Sequence, residues 1–403
     1  MQIEQLSEVS YLFPSSLDLE SLLVQKPLMP FSDLTMDFLD FFSILLKKEA
    51  KEFEDLLAFS FFIRRSNIKN KFSNYLDLEQ NKLGRGLVFH ITPSNVPINF
   101  AYSLVMGLLS GNTNIVRIPS KDYPQILKFC EVLFKIKETN KYAEVLNRIV
   151  LLRYDKGNNA TKLFSRLCDV RIIWGGDETI NSIRLNPLSP KSYDVVFVDK
   201  YSIALINADK FILEANHWQL ANSFYYDTYF FDQNACTSPN MIIWLGNEQN
   251  IKKSKDIFWS ELLAIVKRKY PAIQPILAMD KLVNFCNMVS MNSNFKLTKV
   301  EHNCLWRIQC LNIPSEPNKH KCPAGFFLEY DCCSLDFLVP LVTKKFQTLA
   351  YWGFSKKELL DFVLINNLEG IDRIVPFGRT SDFYSIWDGY DLIYSLTRTI
   401  NAV

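Results

Sequence analysis

The sequence predicts an α/β protein built on a doubly wound parallel sheet, followed by a second α/β unit. Three observations carry this expectation. From residue 86 onward, short apolar runs of strand length alternate with longer segments of helical periodicity. The strand-like runs are apolar throughout, which suits burial on both faces of a parallel sheet. The chain's 403 residues are enough for two domains whose cores need no disulfide or metal to hold them.

Residues 1 to 80 read as a helical segment, with apolar side chains at helical spacing through FSDLTMDFLDFFSILLKKEAKEFEDLLAFSFFIRR. The texture changes at residue 86. GLVFHI reads as a buried strand, and PINFAYSLVMGLLSG as a helix opened by Pro97 and closed by Gly111. Proline lacks only a donor that the first turn leaves unused, and glycine tolerates the left-handed position just past a helix. NIVRI is the next strand and YPQILKFCEVLFKIKE the next helix. The alternation continues through RIVLLRY, ATKLFSRLC, VRIIWG, DETINSIR and DVVFVD. A second unit starts near residue 206, with an aromatic-rich helical stretch over 209–232, a polar turn NACTSPN and a strand MIIWLG. Further strand and helix alternation follows around LAYWGFSKKELLDFVLIN and GIDRIVPFG, with no internal repeat or low-complexity segment.

Composition narrows the function classes. Apolar residues make up 48%, charged residues 22%, and the formal net charge is +2, as in ordinary soluble globular proteins. Lys and Arg are scattered rather than gathered on a stripe, so no nucleic-acid partner is expected. The longest uncharged apolar stretch, 96–116, is broken by Asn99, Gly107, Gly111, Asn112 and Asn114, which suits a buried helix, turn and strand better than a membrane span. MQIEQLSEVSYLFP has early acids and no cationic start before an apolar run, so no signal peptide is expected. Nine cysteines without framework spacing fit a reducing compartment, and the expected location is the cytoplasm.

Two short stretches carry candidate chemistry. TPSNVP, residues 92–97, falls where a strand leads into a helix, the place where open α/β sheets bind ligands. Pro93 and Pro97 hold the loop extended, so Asn95 projects a side-chain amide that can serve as one half of an oxyanion hole; capping the helix that follows is the alternative role. DQNACTSPN places Cys236 in a polar turn, where its backbone N–H can aim at a carbonyl held on its own sulfur. Most cysteines are inert core residues, and that is the expectation for the other eight.

Taken together, HITPSNVPINFAYSLVMGLLSGNTNIVRIPSK and DQNACTSPN resemble the acyl-CoA reductase branch of the aldehyde dehydrogenase superfamily, the LuxC-type fatty-acid reductases. IIWGGDETINSIR is similar to the superfamily's cofactor-side glycine turn, and GIDRIVPFGR matches near the C-terminus. The resemblance runs from about residue 84 to 390. It implies an aldehyde dehydrogenase-like fold divided as an N-terminal helical segment 1–80, a dinucleotide-binding domain 81–205, a catalytic domain 206–375 and a C-terminal segment 376–403. It implies NADPH-dependent reduction of an acyl thioester to an aldehyde, with Cys236 acylated, CoA as leaving group, and the Cys236 N–H and Asn95 amide holding the oxyanion. Thr92, Pro93, Ser94, Arg117, Ser120, Lys121, Gly175 and Gly176 fall where the family lines its nicotinamide cofactor. Arg117, Ser120 and Lys121 suit a 2′-phosphate; solvated charges at a strand end are the alternative for Arg117 and Lys121. The expected partners are the acyl thioester, an acyl-activating ligase or acyltransferase, and further copies of the chain.

The departures from the superfamily pattern are informative. The Glu-Leu-Gly-Gly stretch, whose Glu activates the hydrolytic water of oxidising members, is absent, and the region reads PKSYDVVFVDKYSIALIN. Without that base, water attacks an acyl-cysteine poorly, which favours reduction over hydrolytic oxidation. KKFQT at 344–348 stands where a ribose-binding Glu is expected, and Ile118 where the superfamily has Lys. A CoA-acylating aldehyde dehydrogenase, or a silent scaffold in an acyl-activating complex, remains as an alternative function. His302, Cys304, Cys310, His320 and Cys322 lack the close pairing of a zinc site, so no metal is expected. His90 and His217 are candidates to approach Cys236, though packed histidines are commoner. Phe224, Tyr225, Tyr226, Tyr229 and Phe230 either line an acyl channel or belong to the core.

Overall fold

The computed structural model describes residue 6 and residues 8–76, 81–271, 273–291, 294–314 and 316–402. Residues 1–5 and 7 of the opening stretch, read above for a targeting signal, lie outside these, as do 77–80 of the N-terminal segment. The chain divides into two compact units, one of residues 1–198 with 383–403 and one of residues 199–382.

In the first unit, β1 (Ser10–Phe13), β2 (Leu87–Ile91), β3 (Thr113–Arg117), β4 (Ile149–Arg153), β5 (Val170–Trp174) and β6 (Tyr193–Phe197) form one sheet in the order β1-β4-β3-β2-β5-β6. All neighbours are parallel except β1, which runs antiparallel to β4 with Ser10 opposite Arg153. The chain winds outward from β2 through β3 to β4, then returns to the other side of β2 for β5 and β6, so the strand order reverses between β2 and β5. That reversal opens a crevice at the carboxyl ends of the two strands.

β2 is buried along its whole length. The polar exception, His90, is fully buried: Asn114 Oδ1 lies 3.1 Å from Nε2 and Ser103 Oγ 2.8 Å from Nδ1. The Asn114 amide donates to the Asn112 carbonyl, which orients its oxygen toward the ring. Nε2 therefore donates to Asn114, and Nδ1 accepts from the Ser103 hydroxyl. Gly107 is required beside this pair, because a Cβ there would stand 1.9 Å from Asn114 Oδ1.

The helix Asp33–Glu49 starts at a Ser32 cap and buries Phe38, Leu39, Phe42 and Leu46 in the core that also holds Phe100, Phe129 and Leu133. β1 falls inside the stretch read as helical; its four residues gain the open edge of β4. The C-terminal segment closes the same unit: Phe383 stacks on Trp387 at 4.9 Å, and the strand Thr397–Thr399 pairs antiparallel with Lys82–Gly84.

The second unit holds β7 (Tyr201–Asn207), β8 (Pro239–Leu245), β9 (Phe295–His302), β10 (Leu305–Cys310), β11 (Phe326–Cys332), β12 (Phe346–Trp352) and β13 (Arg373–Pro376), in the order β9-β10-β11-β8-β7-β12-β13. Only the β9–β10 pair is antiparallel. Glu329 on β11 is fully buried and satisfied, accepting from Trp244 Nε1 at 3.1 Å, Trp259 Nε1 at 2.9 Å and Arg307 Nε at 2.8 Å. Among the described residues, no helix is long and apolar enough to cross a membrane.

The His90 environment makes a pH prediction. Burial pulls its imidazole down to about 4 from the ordinary 6.5, so the unfolded chain binds the proton more tightly. Stability is then full above 6.5 and is lost as pH falls toward 4, by at most about 3 kcal/mol. Urea unfolding at pH 4.5 and 7.5 should show this share as a difference between the two proteins: the stability advantage of the wild-type chain over His90→Asn should be smaller at pH 4.5 than at 7.5.

Candidate active site

The residues singled out in the first unit gather at the carboxyl ends of β2, β3 and β5, beside the reversal of strand order. Thr92 follows β2 and is buried; its hydroxyl donates to the Arg117 carbonyl at 2.7 Å. Tyr123 donates from its hydroxyl to the Ser94 carbonyl at 2.6 Å, which pins the loop from outside. Pro93 is half-buried, and Ser94 and Asn95 stand exposed at the crest. The next helix begins at Asn99 with Ile98 as its N-cap, not at Pro97. Asn95 lies three residues before that cap, so it is not the capping residue.

Arg117 is not a solvated charge. Its guanidinium donates to the Tyr154 carbonyl at 3.0 and 3.4 Å and lies over the Tyr154 ring at 4.8 Å. Ser120 and Lys121 are exposed, with the Lys121 ammonium 4.9 Å from the Tyr123 ring centre. Gly175 donates its N–H to the Phe197 carbonyl at 3.0 Å, and Gly176 caps the helix Asp177–Arg184. A Cβ on Gly176 would meet nothing within 4 Å, so another molecule can approach that turn closely. The far end of the helix is held by the buried Arg171, which donates to the Ile183 and Asn186 carbonyls while paired with Asp194 at 2.7 Å. This edge fits a dinucleotide: a strand-to-helix crevice, an open glycine turn and the exposed Lys121.

Cys236 belongs to the second unit. Its turn precedes β8, so it stands at the amino edge of its sheet, opposite to the edge used in the first unit. It is half-buried and follows the helix His217–Thr228 and a short 3-10 turn, Tyr229–Phe231. Asp232 and Gln233 then turn the chain with left-handed φ of 53° and 58°. The Cys236 carbonyl accepts from Ser202 Oγ at 2.6 Å, and the Ser238 N–H donates to the Ala235 carbonyl at 3.0 Å. Ser202 in turn accepts from the Thr348 N–H at 3.2 Å, so three strands meet at this turn.

Gln233, Ser202 and Asp227 escape a reading by motif. Gln233 carries a signal in hindsight, a long amide beside a turn; Ser202, 34 residues away, carries none. Asp227, buried on the helix leading to Cys236, accepts from the N–H groups of Gly378 at 2.7 Å and Thr380 at 3.0 Å and from Thr380 Oγ1 at 2.9 Å. It thereby ties the PFGRT segment to the helix before the cysteine. Both candidate histidines are packed: His90 within the first core, and His217 over Phe211 at 4.6 Å with Nε2 at the Phe211 carbonyl. Phe224, Tyr225 and Tyr229 are core residues, whereas Tyr226 is exposed. Among the described residues, no three His, Cys, Asp or Glu side chains converge as metal ligands.

The family model for acyl-CoA reductase (LuxC) matches residues 63–401. The chain belongs to that family. As a member of the acyl-CoA reductase family, it is similar to the long-chain acyl-protein thioester reductase of Vibrio harveyi, with 25% identity over 330 residues that cover 79% of this chain and 64% of that protein. The enzyme of the same name from Photorhabdus laumondii subsp. laumondii is 26% identical over 327 residues, covering 79% and 63%. The chain thus spans less than two thirds of the length of these relatives. Its fold is that of the aldehyde dehydrogenases. Aldehyde dehydrogenase 21 from Physcomitrella patens aligns with a TM-score of 0.65 at 13% identity, covering 91% of this chain and 85% of that one. The glyceraldehyde-3-phosphate dehydrogenase GapN from Methanocaldococcus jannaschii, solved with NADP, aligns at 0.62 and 14%, covering 91% and 88%.

Asp227 supplies the test of this family member's cysteine-bearing unit. Asp227→Ala leaves the Gly378 and Thr380 N–H groups without their acceptor and should cost about 2 to 4 kcal/mol. Burial pushes the Asp227 carboxyl up to about 7 against the pull of its donors. Its stabilising share is present below the ordinary 3.8 and is lost as pH rises through 7. The melting-temperature difference between the wild-type chain and Asp227→Asn should therefore move against the wild type as pH rises from 5 to 8, a comparison in which the other titrating groups cancel.

Proposed function

We propose that this chain reduces a long-chain acyl thioester to an aldehyde through an acyl intermediate on Cys236. The observation that carries the reading is the turn at Cys236, whose flanking peptides are each fixed by a hydrogen bond, in a chain that belongs to the acyl-CoA reductase family. The names of the relatives, acyl-protein thioester reductases, support a donor thioester on a protein as well as on CoA.

The Cys236 sulfur, as thiolate, attacks the thioester carbonyl; a C–S bond forms and an electron pair moves onto oxygen. The Cys236 N–H and the Asn95 amide stabilise that oxyanion. When it collapses, the C–S bond to the donor breaks and the donor leaves as its thiolate, CoA in the simplest case. The acyl group then waits on Cys236. Thr92, Pro93, Ser94, Arg117, Ser120, Lys121, Gly175 and Gly176, at the carboxyl ends of β2, β3 and β5, would hold NADPH, which would supply the hydride that reduces the acyl carbon. Cys236 is finally displaced as thiolate and the aldehyde departs. Because the chain carries no Glu-Leu-Gly-Gly base, water competes poorly for the acyl-cysteine. Lys121 and Ser120 favour the 2′-phosphate form of the cofactor, since both are exposed just past β3, whereas Arg117 is engaged by Tyr154.

Intact-mass spectrometry after incubation with tetradecanoyl-CoA and no reductant tests the intermediate. One acyl group should appear on the wild-type chain and none on Cys236→Ala; equal labelling of both would place the nucleophile elsewhere. Asn95→Ala should slow acylation about a hundredfold with an unchanged thermal midpoint, as one oxyanion donor commonly contributes that much. Steady-state rates with NADPH and NADH test the cofactor: Lys121→Ala should weaken NADPH use while barely touching NADH, and equal use of both by the wild-type enzyme would overturn the 2′-phosphate assignment.

A further inference from the structure

Resting on the reading above, we infer that Gln233 is a positioning residue that aims the Cys236 N–H at the oxyanion. Gln233 is only 5% exposed. Its amide has two acceptor positions and two N–H groups, and backbone groups take them all. Oε1 accepts from the N–H groups of Gly325 at 2.8 Å and Phe326 at 3.0 Å. Nε2 donates to the carbonyls of Pro239 at 3.1 Å and Phe326 at 3.3 Å. The backbone supports the same arrangement: the Gln233 N–H donates to the Thr228 carbonyl at 2.8 Å, and the Asp232 carbonyl accepts from the Ala324 N–H at 2.9 Å.

The anchor is itself rigid. Ala324 and Gly325 are left-handed, with φ of 61° and 85°, and a Cβ on Gly325 would stand 1.9 Å from the Cys304 carbonyl oxygen. Behind them the buried Lys281 ammonium donates to the Ala324 carbonyl and, at 2.6 Å, to that of Asn303. Two left-handed non-glycine residues at 232 and 233 are costly unless their surroundings over-determine them, and here the surroundings do.

The geometric consequence falls on the nucleophile. Gln233 and Pro239 stand three residues before and three after Cys236, so the Gln233–Pro239 bond closes a small loop around it. Inside that loop the Ser238 N–H holds the Ala235 carbonyl. The Ala235 carbonyl and the Cys236 N–H lie on opposite sides of one planar trans peptide, so fixing the first directs the second. A donor whose direction is set before the reaction stabilises developing charge without reorganising. The sulfur, on a side chain with its own rotation about χ1, does not depend on that peptide plane in the same way.

Two rates separate these effects in the full-length protein. Single-turnover acylation by tetradecanoyl-CoA reads the oxyanion, and alkylation of Cys236 by iodoacetamide, followed by peptide mass spectrometry, reads the sulfur alone. Gln233→Met removes all four bonds at similar length, and Gln233→Glu keeps the acceptors for Gly325 and Phe326 but loses the donation to Pro239. The expected result is acylation slowed about thirtyfold or more in Gln233→Met and about tenfold in Gln233→Glu, with KM within threefold and alkylation within threefold of wild type. Unchanged acylation in a folded variant overturns the inference, as does an equal loss of acylation and alkylation. If Gln233→Met gives no cooperative melt, Gln233→Glu decides alone; if neither folds, Gln233 is a stability determinant and the inference fails. A wild-type chain that takes no acyl group on Cys236 removes the proposed function itself, whereas a wild type that acylates beside equally fast variants removes only the role of Gln233.

Discussion

Burial of β2 on both faces is the constraint from which the first unit follows. Leu87 to Ile91 lies at the centre of its sheet, where every side chain must find an apolar neighbour or a hydrogen-bond partner. His90 meets that demand as a neutral ring between Asn114 and Ser103, and Gly107 leaves the space the pair needs. With β2 fixed at the centre, the chain winds away on one side and returns on the other. The loop after β2 and the turn after β5 are thereby brought to the same edge, although 80 residues of sequence separate Asn95 from Gly175.

The second unit places its cysteine differently. Helix N-termini and carboxyl strand ends are the usual way an α/β sheet presents a ligand site, yet Cys236 stands on the amino edge, where the chain enters β8. No helix N-terminus follows that turn; the hydrogen bonds that hold it come from Gln233 within the turn, Ser202 on β7 and the backbone of the 324–326 segment. The buried side chains of Gln233 and Ser202 are both matched to backbone partners, and that is how a polar loop stays ordered beside an apolar core. Asp227 extends the same principle to the PFGRT segment, which it holds through two N–H groups and one hydroxyl.

What the residues omit shapes the chemistry as much as what they supply. An acyl-cysteine is long-lived only if water near it lacks a base, and the superfamily's water-activating glutamate has no counterpart in PKSYDVVFVDKYSIALIN. Most of that stretch forms β6 and β7, whose central side chains are buried. Past β3, Arg117 is drawn into the fold by Tyr154, whereas Ser120 and Lys121 are exposed, next to the equally exposed Asp122.

The sequence alone determined the fold class, because apolar strand runs alternating with helices leave few packings other than a doubly wound sheet. It also singled out Asn95, Cys236 and the glycine turn as candidates, because proline, cysteine and paired glycine stand out in short motifs. Local pattern misplaced the start of the helix at Asn99 and hid β1, whose four residues become a strand only by gaining the open edge of β4. Tertiary structure alone decided that Ile98 rather than Asn95 is the N-cap position of the helix, that Arg117 is engaged and Lys121 exposed, and that Gln233 and Ser202 hydrogen-bond the backbone around the cysteine turn. Composition and periodicity register which side chains avoid water. Hydrogen bonds between distant residues depend on where the folded backbone brings their partners, and no spacing along the chain records that.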